Sequence, residues 1–253
     1  MYKVFKYTAE NKIEWDHFIA TAKNATFLFQ RDFMDYHQDR FEDFSLMVYK
    51  NETLYALLPA NKKNEVVYSH QGLTYGGLLL NNSAKLKQTF EAFKEIIKFL
   101  FENGIQKLEV RLIPPFYNKL PSDELEYLFF KAAAKLIKRD VVLLIDYHYQ
   151  LPFQKNRREG INKSKRKNLV IKTDDNFDLF WNEVLIPNLS SKYNTVPVHS
   201  LKEIKYLASK FPNRIRQVNI YQENTIVAGT TVFLTGQVVH PQYVSAKANK
   251  NEL

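Results

Sequence analysis

The sequence of 253 residues contains no cysteine. That excludes disulfides, thiolate metal sites and a cysteine nucleophile, and it fits a reducing compartment. Long hydrophobic runs are also missing. The longest aliphatic stretch, Val141 to Ile145, is far too short to span a bilayer, so no membrane insertion is expected. The opening residues, "MYKVFKYTAENK", lack the apolar h-region of a signal peptide. The six histidines (17, 37, 70, 148, 199 and 240) form no H-x-H, H-E-x-x-H or H-x₃-H pair, so no metal site is expected. No G-x-S-x-G elbow is present. These absences lead to a soluble, cytoplasmic protein as the expected class.

Material for a core is ample. Hydrophobic residues make up 45% and aromatics 14% of the chain, with 15 Tyr and 19 Phe, which excludes bulk disorder. The length suits one large or two ordinary domains. The net charge of +9 is concentrated late in the chain. Residues 155–172, "KNRREGINKSKRKNLVIK", hold eight bases against Glu159 alone. Two readings fit this segment: an anion-binding surface for nucleic acid or a phosphorylated substrate, or a solvated helix face. Aromatic residues are not interleaved within it, which counts against a base-stacking platform.

Periodicity predicts a strand at 3–7 and a helix around Trp15, Phe18, Ile19 and Ala22. A short helix at 31–40 and strands at 44–50, 53–60 and 65–70 follow. A long helix at 84–103 should bury Leu86, Phe90, Phe93, Ile97, Leu100 and Phe101, and Asn103-Gly104 should cap it. A strand at 106–113, a helix at 122–134 and a strand or bent pair at 135–150 come next. The basic segment is predicted helical over 155–168, and another helix runs from Phe177 to Leu189 with Pro187 as kink or end. "SLKE" at 200–203 is a capping box. Strands at 215–222, 225–234 and 237–246 close the chain.

An internal repeat is visible. "VYKNETLYA" (48–56) aligns with "IYQENTIVA" (220–228) at an offset of 172 residues. Each copy is preceded by two helices and reads as a three-stranded meander. At that offset the second copy lacks the long helix and everything after it, so the repeat implies a fragment or shortened form of something nearer ~320 residues. Exposed apolar side chains are then expected on the last meander, such as Val227, Val232 or Phe233.

Three glycines (72, 76 and 77) fall within six residues in "SHQGLTYGGLL", between a strand and a helix. Such a loop can offer backbone N–H groups to a phosphate, with Tyr75 as a ligand contact. It can equally be a bend, with Tyr75 packed against the sheet edge. On the last strand, His240 and Gln242 alternate on one face and Tyr243 lies on the other. Polar residues at strand ends beside a cleft can serve as acid, base or substrate donors, or as satisfied structural groups.

The order helix pair, meander, glycine-containing junction, long helix, strand, helix, strand resembles an acyl-CoA N-acyltransferase (GNAT) domain. Two in tandem resemble the FemABX-like acyltransferases. "RREGINKSKRKNLVIK" (157–172) is similar to their R-x-x-I-x-x-A-x-K helix, with Ser164 in place of alanine. "SHQGLTYGGLL" and the segments between 196 and 246 resemble a bacterial, cell-surface polysaccharide-associated branch. The resemblance implies an α/β (α+β) fold of tandem GNAT-like domains with mixed central sheets, the second incomplete. Its expected layout is a first domain at 1–150, a basic connecting helix and strand at 151–175, and a partial second domain at 176–253. It implies an N-acyltransferase that takes acyl-CoA as co-substrate and acts on an amine, such as an amino sugar of a nucleotide- or lipid-linked glycan precursor. A Fem-type transferase using aminoacyl-tRNA on a peptidoglycan precursor is the alternative, and a non-catalytic glycan- or partner-binding module is the third reading. Under the leading reading His240 and Tyr243 are catalytic candidates. Tyr75, Arg158, Lys163, Tyr193, His199 and Gln242 are substrate-binding candidates. GNAT enzymes hold the CoA pyrophosphate at a Q/R-x-x-G-x-G/A turn. "GLTYGG" does not match it, and neither does "ANKNEL" at 248–253.

Overall fold

The hairpins of the two repeats share their register to the residue. The first joins β3 (Leu46–Lys50) to β4 (Thr53–Leu58), the second β10 (Ile215–Gln222) to β11 (Thr225–Leu234). Each carries a β-bulge at the same place: between Val48 and Tyr49, and between Ile220 and Tyr221. After the bulge Tyr49 opposes Leu54 as Tyr221 opposes Ile226. Asn51, Glu223 and Asn224 take left-handed backbone angles at the tight turns, the geometry that matches strand twist in a two-residue hairpin. In this computed structural model, which describes residues 1–247, the chain divides into two units: Met1–Ala134 with Thr235–Val238, and Lys135–Leu234 with the residues from Val239.

In the first unit β1 (Tyr2–Lys6), β3, β4 and β7 (Leu79–Leu80) form one antiparallel sheet in the order β1-β3-β4-β7. A second small sheet has the order β2-β5-β6-β8, made of Glu42–Asp43, Asn61–Lys63, Val66–Tyr68 and Lys107–Glu109, with β6 and β8 parallel. The expected three-stranded meander is thus divided here. Pro59 has no N–H for the ladder, and the Ser45 hydroxyl fills the gap by accepting from the Ala60 N–H at 3.2 Å. The helices are α1 (Lys12–Thr21), α2 (Arg31–Met34), α3 (Leu86–Glu102) and α4 (Glu124–Lys131). Trp15, Phe18 and Ile19 are buried on α1, as the periodicity requires.

The long helix turns a different face inward from the one expected. Thr89, Ala92, Ile96 and Leu100 are buried, while Leu86, Phe90, Ile97 and Phe101 stand exposed. The reason is a close, partly polar seam: Thr89 Oγ1 pairs with the Tyr55 hydroxyl at 3.0 Å, and Ala92 lets the helix approach the sheet.

Arg31 ties this unit together. It is almost fully buried, pairs with Asp35 and Asp43, donates to Ser45 Oγ at 3.3 Å and lies 3.8 Å over the Tyr7 ring. A buried guanidinium is tolerated only with such partners.

In the second unit the sheet order is β12-β11-β10-β9, fully antiparallel, with β9 at Val170–Lys172 and β12 at Val239–Ala246. The basic segment forms α5 (Lys155–Arg166). Phe177–Phe180 (α6) continues through a π-helical turn at Trp181–Leu185 into α7 (Ile186–Tyr193), so the helix outlasts Pro187. The wider turn accommodates a ring that would clash with the carbonyl four residues earlier. α8 (Leu201–Lys210) begins with the capping box: Ser200 Oγ accepts from the Glu203 N–H, and the Glu203 carboxylate accepts from the Ser200 N–H.

Two expectations fail. Residues 135–154 form no strand, and their apolar side chains lie exposed. A β-pattern needs a neighbouring strand for its backbone groups, and none is supplied within this stretch. Val227 and Phe233 are buried rather than exposed, because α6 to α8 cover their face. Val239, Pro241 and Val244 are the exposed side chains of the last strand.

The first unit also holds two buried histidines, His37 and His70, stacked with ring centroids 5.2 Å apart. Burial pushes both below the ordinary histidine value, His70 to about 3. The unfolded chain therefore binds protons below about pH 6.5 that the folded chain refuses. The stability these neutral rings contribute is fully present above about pH 6.5 and is lost as pH falls, for His70 down to about 3, at up to ~1.4 kcal/mol per pH unit for that ring. Thermal melts between pH 7 and pH 4 should show the midpoint falling steadily. His70→Asn should flatten that slope, because asparagine tolerates the left-handed backbone found at His70.

Candidate functional site

The end of β12 gathers four of the candidate residues. β11 and β12 pair with a bulge: Phe233 opposes His240 and Val232 opposes Pro241, but Thr231 opposes Tyr243. Gln242 is the extra residue, and the bulge turns Tyr243 to the same side of the sheet as His240. Simple alternation, which put these two on opposite faces, is corrected by that one inserted residue. Tyr243 is pinned there. Its oxygen accepts from the His199 backbone N–H at 3.1 Å and lies 2.6 Å from His199 Nδ1. Which of the two donates across this contact follows the His199 tautomer. Burial holds the Tyr243 hydroxyl above its usual value, against opposing contacts from His199 and Gln242. Burial lowers His240, with the Gln242 side chain opposing. Gln242 Oε1 is itself buried, without a hydrogen-bond partner among the described residues.

A polar row crosses the same inward face. Thr231 Oγ1 donates to Gln217 Oε1 at 2.6 Å, Gln217 Nε2 to Asn219 Oδ1 at 2.8 Å, and Asn219 Nδ2 to Asp174 Oδ1 at 2.7 Å. From the far side the Tyr221 hydroxyl donates to Asp174 Oδ2 at 2.5 Å. Thr231, Gln217 and Asn219 are fully buried. Desolvation opposes ionisation of Asp174, but donation from Tyr221, Asn176 and Asn219 outweighs it and holds the carboxyl below its ordinary value. Gly229 is required beside this row: an added Cβ would lie 2.6 Å from the Phe180 ring and 2.9 Å from Asn219 Oδ1. Sequence reading missed these residues. The available signal was the polar Gln217 and Asn219 at inward positions of an otherwise alternating strand.

An open cavity of about 420 Å³ lies at the opposite end of β12. Leu185, Asn188 and Tyr193 line it from the helix, and Gly229, Thr230 and Ser245 from the strands. Asn188 Nδ2 donates to Ser245 Oγ at 2.8 Å. Tyr193, on the last turn of α7, is exposed and belongs to this cavity. His240 is five strand residues from Ser245, roughly 15 Å along an extended chain. The candidates of the second unit thus fall into two groups.

Arg158 and Lys163 stand on exposed α5. Five residues apart, they point about 140° from one another around the helix axis. A second cavity, of about 580 Å³, lies against this helix, with Phe153, Ile161, Leu169, Ile171 and Ile220 among its apolar lining and Arg157 and Lys165 among its charged lining.

Tyr75 belongs to none of these. It is buried in the core of the first unit, donates to Thr26 Oγ1 at 3.1 Å and packs on Phe29 and Tyr117. The glycine-rich loop around it is a bend. Four of its N–H groups are already used: Gln71 donates to Asn61 Oδ1, Gly72 to His70 Nδ1, Leu73 to the His70 carbonyl, and Gly76 to the Arg111 carbonyl. At Gly72 a Cβ would fall 2.0 Å from His37 Nε2, so close packing explains that glycine. This loop therefore does not fit a CoA pyrophosphate, and the equivalent "ANKNEL" lies outside the described residues. Among the described residues, no group of three or more His, Asp or Glu side chains is placed to hold a metal ion.

No family model matches the sequence, and no curated protein matches it. Solved structures do match in fold. FemX superposes with a TM-score of 0.64 over 99% of this chain and 82% of its own, at 8% identity. The C-terminal domain (DUF2156) of a putative lysylphosphatidylglycerol synthetase from Agrobacterium fabrum gives 0.59 over 96% and 70%, at 10% identity. At such identities the likeness is one of fold, and the mixed α/β, GNAT-like architecture that the resemblance implied is the one found.

Two substitutions probe this geometry. Gly229→Ala should destabilise the second unit by ~1–3 kcal/mol, because the new methyl overpacks against Phe180 and Asn219. Tyr243→Phe should cost about 1–3 kcal/mol by leaving the His199 N–H without its acceptor. Urea denaturation followed by tryptophan fluorescence reads both, since Trp181 packs on Tyr243.

Proposed function

We propose that this chain transfers an acyl-type group from a phosphate-bearing carrier to an amine. The reading is carried by one combination. A fold that aligns end to end with FemX presents, in its second unit, an open cavity with polar groups and an exposed cationic helix. The leading donor is an acyl-CoA thioester, and the leading acceptor is an amino sugar of a surface-glycan precursor. An aminoacyl-tRNA donor, which the Fem-type resemblance implies, is the second reading.

Acyl transfer needs a neutral amine, a group to take its proton and donors for the carbonyl oxygen. The amine nitrogen bonds to the carbonyl carbon, the carbon–leaving-group bond breaks, and the amine proton passes to a base or water while the leaving group is protonated. His240, kept neutral by its burial, suits the base, and Tyr243 orients the polar end of β12 with His199 and Gln242. Tyr193, beside Asn188 and Ser245, suits the acceptor's polar groups. Arg158 and Lys163 suit phosphates at separate points of the ligand, because they leave the helix in different directions.

A thermal-shift series with acetyl-CoA, charged tRNA and a nucleotide sugar, followed by a label-transfer assay, tests this. One donor class should raise the melting temperature and pass its label to an amine. Replacing Arg158 and Lys163 by Ala should weaken that donor about tenfold to a hundredfold at unchanged stability. Failure of all three ligand classes would leave the binding-module reading in front.

A further inference from the structure

Residues 135–172 hold eleven bases against three acids. Within the same stretch lies the most exposed apolar run among the described residues. Val141, Leu143, Ile145, Tyr147, Tyr149, Leu151 and Phe153 all face solvent, Leu143 at 94% and Leu151 at 89% exposure. Isolated exposed apolar residues need no explanation, but a contiguous set does. This run leads directly into α5, where Arg157, Arg158, Lys165 and Arg166, with Lys167 just after it, have no carboxylate partner among the described residues. The groove of about 580 Å³ is lined by apolar Phe153, Ile161 and Ile171 together with Arg157 and Lys165. Apolar and cationic side chains therefore share one surface of the second unit.

We propose that residues 141–172 form a peripheral docking surface for a bilayer rich in anionic phospholipid. The chemistry of the two parts selects this partner. The bases match headgroup phosphates, and the aliphatic and aromatic run matches the boundary between headgroups and acyl chains. Nucleic acid would satisfy the charge but offers nothing for Val141, Leu143, Ile145 and Leu151, because stacking uses aromatic faces. No helix of the described residues is long and apolar enough to cross a membrane, so the attachment is to the surface. Either part alone binds weakly, and the two together supply the pair of signals that stable attachment takes. The proposal does not rest on the transferase reading.

Co-sedimentation of the full chain with phosphatidylcholine vesicles, with and without phosphatidylglycerol, tests it. Binding should require the anionic lipid and fall as salt rises. Arg157→Ala, Lys165→Ala and Lys167→Ala should each lower the partition about fivefold. Leu143→Ser with Leu151→Ser should lower it further at low salt, where the bases alone still attract. All five positions are exposed, and circular dichroism confirms that the variants fold. Equal binding to neutral vesicles, or none to either, overturns the proposal. So does tighter binding of transfer RNA that is lost in the same alanine variants while vesicles stay unbound. A concentration-dependent dimer abolished by Leu143→Ser with Leu151→Ser, with vesicle binding unchanged, also overturns it and assigns the run to a second copy.

Discussion

The second unit is organised by a requirement that buried amides be paired. Gln217 and Asn219 are fully out of water, and each unpaired amide group there would cost on the order of 1–3 kcal/mol. The row of side-chain donors that runs through them ends on Asp174, an ionised carboxylate that can only accept, while Gln217 Nε2 also donates to the Val218 carbonyl and Asn219 Nδ2 to the Asn176 carbonyl. That direction fixes both amide orientations and the rotation of Thr231. It also sets how closely the segment before α6 lies against β10. Gly229 follows from the same constraint, since a side chain there would enter the row. The cavity at the end of β12 and the His199–Tyr243 pair are built on the sheet that this row holds in place.

The two units use one hairpin for different interiors. In the first, the hairpin core of Leu46, Val48, Ala56 and Leu58 is sealed by Ala92, Ile96 and Leu100 of the long helix. In the second, α6 to α8 cover the face that carries Phe233, and the opposite face leaves Val244 and Ile171 in solvent. The shared bulge survives because it depends on the turn and the strands alone. What covers the sheet differs because cover comes from segments distant in sequence.

Surface chemistry divides along the same line. The first unit neutralises its buried charge internally, through Arg31 with Asp35 and Asp43. The second carries most of its bases outward, on α5 and the run before it.

Much of the fold was legible in the sequence, for identifiable reasons. Helices with strong caps, such as Ser200 to Lys210, and strands joined by tight turns depend on neighbours within a few residues. The repeat at 172 residues anticipated a common register because register in a hairpin is set by its turn. The basic helix was equally plain from composition. Other features required partners that sequence proximity does not reveal. Tyr75 became a core residue because Thr26, Phe29 and Tyr117 converge on it. Tyr243 changed faces because one bulged residue reverses every later side chain. The inward face of α3 was chosen by Tyr55 and the close seam against the sheet, not by the widest apolar stripe. The run at 135–154 has strand chemistry without a strand. The sequence by itself determined which segments prefer helix, strand or water. Only the tertiary structure decided which side chains meet, because long-range pairing and burial select among faces that local preference leaves equivalent.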